Sequence, residues 1–193
     1  MILIINSSPR KKSTSYVISV ANRILQKNDF ETKILKLRQK EINFCKHCDY
    51  CLENQECIQK DDMEEINSLL EKSEGIILAT PVYTSGINGQ LKTMMDRTRS
   101  LMARNENALK GKIGAGIAIG GDRMGGQEIA LSQIHNFYIL NGMIPVSGGT
   151  FGANLGSTYW SKDTKENVKK DEEGKKTLVK TINRFMEFLD TYV

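Results

Sequence analysis

Three short stretches of this chain are apolar with no polar alternation: Met1–Ile5, Ile76–Ala79 and Ile113–Ile119. A strand wetted on one face alternates in polarity, whereas a strand buried on both faces does not. Such strands belong to a parallel sheet covered on both sides, so the segments between them must carry crossover helices. Helical spacing is found there. Val17, Val20, Ala21 and Ile24 share one face, and Thr32–Leu37 reads as a second strand. Asp61 and Asp62 offer an N-cap to a helix starting near Met63, with Ile66, Leu69 and Leu70 as its buried face. Leu91, Met94, Met95, Thr98 and Met102 mark one long helix. Another spans about Glu128–Leu140, before a short fifth strand near Pro145–Ser147. Gly148–Gly156 reads as a surface loop. Lys162–Lys176 reads as a solvated charge run leading into a last helix with Leu178, Ile182, Phe185 and Leu189 on one face. With no repeat and no linker, residues 1–193 are expected to form one α/β domain, a doubly wound sheet of five parallel strands.

The bulk numbers exclude several classes. The net charge of +4 is mild and not gathered on one segment, so no nucleic-acid footprint is expected. The first apolar run is too short for a secretory leader, and no run is long enough to cross a membrane. The expectation is a cytoplasmic protein, in a compartment where thiols stay reduced.

All four cysteines fall in the segment 44–58, as Cys45, Cys48, Cys51 and Cys57, spaced Cys-x2-Cys-x2-Cys-x5-Cys. Three readings compete: a disulfide framework, a zinc site and an iron–sulfur cluster. A reducing compartment counts against disulfides. Zinc more often shows two Cys-x2-Cys pairs separated by a longer stretch. Thiolates at intervals of three, then six, wrap a chain around one compact body, as in the bacterial ferredoxin run. Two features depart from that run: the last gap is x5, and Ile58 rather than proline follows Cys57. With no further cysteine in the chain, all four would serve a single [4Fe–4S] centre. His47 lies inside the segment and could replace a thiolate, although four already saturate such a cluster.

The loop after the first strand, Asn6 to Ser15, is dense in hydroxyls and runs into a helix N-terminus, where free N–H groups favour an anion. Arg10 adds a forked cation. The loop lacks Gly-x-Gly-x-x-Gly and Gly-Lys-Ser/Thr, so a single terminal phosphate suits it better than a dinucleotide or nucleoside triphosphate. The competing reading makes Ser13 a plain helix cap. A phosphate loop directly after strand one fits the strand order 2-1-3-4-5 of flavodoxin-like sheets, whose ligands sit at the carboxyl ends of the strands.

These pieces together carry a resemblance. Ser8-x-Arg10-x-x-Ser13-x-Ser15, Thr80-Pro81-Val82-Tyr83, Leu91-Lys92 with Asp96-Arg97, and Gly120-Gly121 resemble the NAD(P)H-dependent FMN reductase group of flavodoxin-like proteins. The cysteine segment followed by Asp61-Asp62-Met63 resembles its iron–sulfur flavoprotein branch. The resemblance runs from Met1 to about Gly149. It implies that Ser8, Arg10, Ser13, Thr14 and Ser15 hold the FMN phosphate. It implies that Pro81, Val82, Tyr83, Thr84, Ser85 and Gly86 contact the isoalloxazine ring and ribityl chain, and that Gly120, Gly121 and Asp122 close the other side. Plain packing at Tyr83, a rigid turn at Pro81 and a strand-ending turn at the glycine pair are the alternatives. It further implies a homodimer or homotetramer, in which the cluster faces a neighbouring subunit's flavin.

The resulting expectation is electron transfer from a low-potential, ferredoxin-like donor through a [4Fe–4S] cluster to FMN, and on to oxygen, peroxide or a quinone. No nucleophile or general base is required, and His135, within a helical pattern, reads as structural. One alternative is an NAD(P)H-dependent FMN or quinone reductase with no functional cluster. Another is a zinc-bearing or redox-sensing binding protein without turnover.

Overall fold

The computed structural model describes residues 1–193. Its sheet is built from β1 (Ile2–Asn6), β2 (Thr32–Lys36), β3 (Gly75–Tyr83), β5 (Ile113–Gly120) and β6 (Ile144–Val146), ordered β2-β1-β3-β5-β6 and parallel throughout. The two-residue β4 (Gly86–Ile87) only folds back on the end of β3. With β4 set aside, the order is the expected 2-1-3-4-5 of a flavodoxin-like sheet. One strand was not foreseen. β7 (Ser157–Trp160) pairs with the carboxyl half of β5, while β6 pairs with its amino half. The fifth position is thus one strand interrupted by the Gly-rich loop.

Helices α1 (Ser13–Lys27), α7 (Lys165–Lys170) and α8 (Glu172–Tyr192) cover one face; α3 (Met63–Lys72), α4 (Gly89–Arg97), α5 (Arg99–Arg104) and α6 (Gln127–Leu140) cover the other. Alternation along β1 feeds both layers: Ile2 and Ile4 pack with Val17, Leu25 and Phe185, whereas Leu3 and Ile5 pack with Ile66, Leu70 and Met94. This explains why that strand shows no polar alternation. On β5, isoleucines face α1 and α8 while glycines face α6. A Cβ on Gly114 would stand 2.7 Å from the Tyr138 ring, so glycine there admits an aromatic side chain against the strand. The buried Tyr138 hydroxyl lies 2.9 Å from the Ala115 carbonyl and accepts from the Leu78 N–H at 3.2 Å, bridging β3 and β5. Burial raises its pKa well above that of a free phenol.

Three expectations on element bounds are corrected. β3 runs on past Ala79 through Tyr83, because Thr80 and Pro81 pair with Ala118 and Ile119, and Val82 and Tyr83 with Ile87 and Gly86. The long helix through Met102 is two helices, broken at Thr98, whose hydroxyl donates to the Met95 carbonyl at 2.7 Å and competes with the helical ladder. The charge run 162–176 is not simply solvated: it contains α7 and the start of α8, with Val168 and Asp171 buried.

Candidate functional site

The carboxyl ends of β1, β3 and β5 meet, as the topology requires, and their loops enclose a cavity of about 30 Å³. Ser8, Arg10, Ser13, Thr14, Pro81, Val82, Tyr83 and Gly121 line it, so eight of the fourteen expected cofactor contacts come together there. Lys12, Ile119, Ser161 and Asp163 line it as well and were not foreseen. No side chain caps α1, so the helix presents its first N–H groups with the positive end of its dipole. The plain-cap reading of Ser13 does not hold, since its hydroxyl donates to the Thr164 carbonyl at 3.2 Å. Ser15 does not line the cavity; its hydroxyl accepts from the Asn6 amide at 3.1 Å.

Thr84 and Ser85 form the tip of the β3–β4 hairpin, with φ of 49° and 60°. Two positive φ values at a two-residue tip match the twist of the flanking strands. Gly126 must be glycine here: its φ is 99°, and a Cβ would stand 2.5 Å from the Ser85 Cα. Behind the hairpin lies the buried Asn88. Its amide donates to the Ser7 carbonyl at 2.8 Å and its oxygen accepts from the Thr80 hydroxyl at 3.2 Å, tying the loop after β1 to the hairpin. The turn after β5 has its own brace in buried Gln127, which donates to the Asp122 carbonyl at 2.7 Å and accepts from the Gly125 N–H at 2.9 Å. Its amide occupies the space where a Cβ on Gly120 would lie. Asp122 therefore serves the loop through its main chain.

One charge stands out at this site. Asp163, on the segment after β7, reaches Arg10 at 3.5 Å, and its carboxylate lies 3.2 Å from where a Cβ on Gly121 would sit. The cradle already attracts one anionic group from the chain itself. Free helix N–H groups, hydroxyls and an arginine fit the phosphate of FMN.

All four cysteines are free; Cys45 and Cys48 are exposed, Cys51 and Cys57 half-buried. The segment includes a short helix, α2 (Tyr50–Asn54), and three non-glycine residues at positive φ, His47, Asp49 and Gln55. No three Cys, His, Asp or Glu side chains are gathered so as to hold one metal ion. A four-iron cluster gives each thiolate its own iron, so the donor set, four free thiols on one tightly turned segment, suits it chemically. His47 does not join that set; its Nδ1 lies 3.1 Å from the Arg99 guanidinium. His135 on α6 belongs to no site, and burial lowers its pKa, keeping it neutral.

The cysteine segment and the β3–β4 hairpin share a second cleft, of about 420 Å³, lined by Pro9, Ile42, Phe44, Tyr83 and Asn88 among others. Phe44, next to Cys45, is 78% exposed. The largest groove, about 840 Å³, lies between α4–α5 and α6 and contains none of the expected site residues.

The fold and site together define a flavodoxin-like, flavin-dependent oxidoreductase. The family described as NADPH-dependent FMN reductase matches residues 1–158. An iron–sulfur flavoprotein of Archaeoglobus fulgidus is 53% identical over 190 residues, covering 98% of this chain and 97% of that protein. One of Methanocaldococcus jannaschii is 52% identical over 187 residues, covering 96% and 94%. Among solved structures, the flavoenzyme NAD(P)H:(acceptor) oxidoreductase FerB from Paracoccus denitrificans superposes with a TM-score of 0.67 at 13% identity, covering 99% and 97%, a likeness of fold. The chain belongs to the FMN reductase family, in its iron–sulfur flavoprotein branch.

Proposed function

We propose that the chain passes electrons from a low-potential, ferredoxin-like donor, by way of a [4Fe–4S] cluster on Cys45, Cys48, Cys51 and Cys57 and FMN in the β1–β3–β5 cradle, to oxygen, peroxide or a quinone. When bound, the cluster exchanges single electrons and the flavin converts them to pairs. The observation that carries this reading is the shared cleft, in which Phe44 of the cysteine segment and Tyr83 of the flavin hairpin line one space.

The chain's own residues have separate tasks in this reading. The α1 N-terminus, Ser8, Ser13, Thr14 and Arg10 anchor the phosphate. Pro81 to Gly86 present backbone to the ring, and Gly120, Gly121 and Asp122 border its other side. No side chain here is a nucleophile or general base, and none is required. No helix is long and apolar enough to cross a membrane. Four free thiols suit the cytoplasm, which is the compartment of this reading. Self-association belongs to it too. The large groove beside α6 is lined in part by Leu140, which is 85% exposed.

Anaerobic stopped-flow reduction tests the donor. Reduced ferredoxin should bleach the flavin rapidly and NADPH slowly. The family's description favours NADPH as the second reading; rapid reduction by NADPH with none by ferredoxin would establish it instead.

A further inference from the structure

Two motifs noted in the sequence, Asp61-Asp62-Met63 and Asp96-Arg97, meet through one side chain. Arg97, at the end of α4, has a side chain only 1% exposed. Its Nη1 donates to the Asn43 carbonyl at 2.6 Å and to Asp61 Oδ2 at 2.7 Å. Its Nη2 donates to Asp61 Oδ1 at 3.0 Å and to the Cys57 sulfur at 3.4 Å. Asp61, with its side chain 4% exposed, also accepts from the N–H groups of Asn43 and Met63. Asn43 precedes the first cysteine and Asp61 follows the last, so a single guanidinium ties both ends of the thiol-bearing loop and touches one of its sulfurs. Desolvating an arginine is costly, and the two-pronged carboxylate offsets that cost. Two residues on, Arg99 donates to Asp49 at 2.5 Å and contacts His47. The α4–α5 corner therefore sets two cations against the cysteine segment.

We propose that Arg97 is the positioning residue of the cluster site: it fixes the Cys57 sulfur by an N–H···S bond and thereby raises the cluster's reduction potential. The physical reason is differential. A cluster gains negative charge on reduction, so a donor aimed at its sulfur stabilises the reduced form more than the oxidised one. This inference rests on the cluster reading above.

The test compares the whole protein purified without air with Arg97→Lys and with the double variant Asp61→Asn/Arg97→Gln, which leaves no lone buried carboxylate. Iron, acid-labile sulfide and FMN are counted for each, and the cluster is titrated by EPR against potential. Both variants should keep FMN, load less cluster, and show a more negative cluster potential. Variants that keep cluster and FMN at the native potential would overturn the role of Arg97 while leaving the cluster reading intact. Native protein with no sulfide would overturn both. If neither variant folds, protein labelled with 15N-arginine decides: nitrogen coupling to the reduced cluster in pulsed EPR supports the contact, and its absence refutes it.

Discussion

Asn88 couples the loop after β1 to the β3–β4 hairpin, and its replacement should damage both stability and FMN binding. It is 1% exposed. Its amide donates to the Ser7 carbonyl at 2.8 Å and its oxygen accepts from the Thr80 hydroxyl at 3.2 Å. Asn88→Ala removes both bonds and leaves the Ser7 carbonyl buried without that partner. An unsatisfied buried group costs about 1–3 kcal/mol and a lost neutral bond about 1 kcal/mol, so the loss should be roughly 2–4 kcal/mol. Asn88→Asp is the sharper perturbation. It keeps the shape but replaces the donor with an acceptor, setting two oxygens against each other, and should cost at least as much as alanine. Urea unfolding of the FMN-free protein gives the stability change, and quenching of FMN fluorescence gives the affinity. A stability loss below about 0.5 kcal/mol for alanine, or an aspartate variant as stable as the native protein, would refute the coupling role.

Arg10→Ala should weaken FMN by about 1.5–3 kcal/mol, the worth of a charged hydrogen bond, whereas Asp163→Asn should tighten it several-fold by removing the competing carboxylate; fluorescence titration checks both, and equal affinities would assign the phosphate to N–H and hydroxyl donors alone. Cys51→Ala should abolish the cluster but leave FMN bound, read from sulfide and flavin content; joint loss would show that the two sites fold together. Gly114→Ala should destabilise by about 1–3 kcal/mol, because its Cβ meets the Tyr138 ring; thermal unfolding measures it. Burial pushes the Asp61 carboxyl up, but bonds from Arg97 and from the N–H groups of Asn43 and Met63 outweigh it, holding its pKa below 3.8. Its contribution is therefore complete above pH 3.8 and is lost as pH falls through the folded value. Asp61→Asn should flatten the acid limb of the stability curve.

The sheet was legible because its strands announce themselves by what they lack. Ile2–Ile5 and Ile76–Ala79 have no polar alternation, and isoleucine alternates with glycine or alanine along β5. The hydroxyl-dense loop leading into the α1 N-terminus was legible from composition alone. The Ser15 hydroxyl also accepts from Asn6, a contact that composition does not show. The braces Asn88 and Gln127 look like ordinary polar residues and declare themselves only through burial. Asp163 was hidden in a charge run, where one acid pointing back at Arg10 has the same pattern as its solvated neighbours. The break at Thr98 was invisible because the apolar spacing continues through it. Arg97 was noticed as part of a motif, but its link to Cys57 spans forty positions and exists only once the chain is folded.

The central claim is that one chain binds both a four-iron cluster and a flavin. Iron, acid-labile sulfide and FMN counted per chain in protein purified without air test it most directly. The account predicts equal iron and sulfide, in the amount of a single [4Fe–4S] centre, with one FMN. Zinc in place of iron, or flavin with no sulfide, would contradict it.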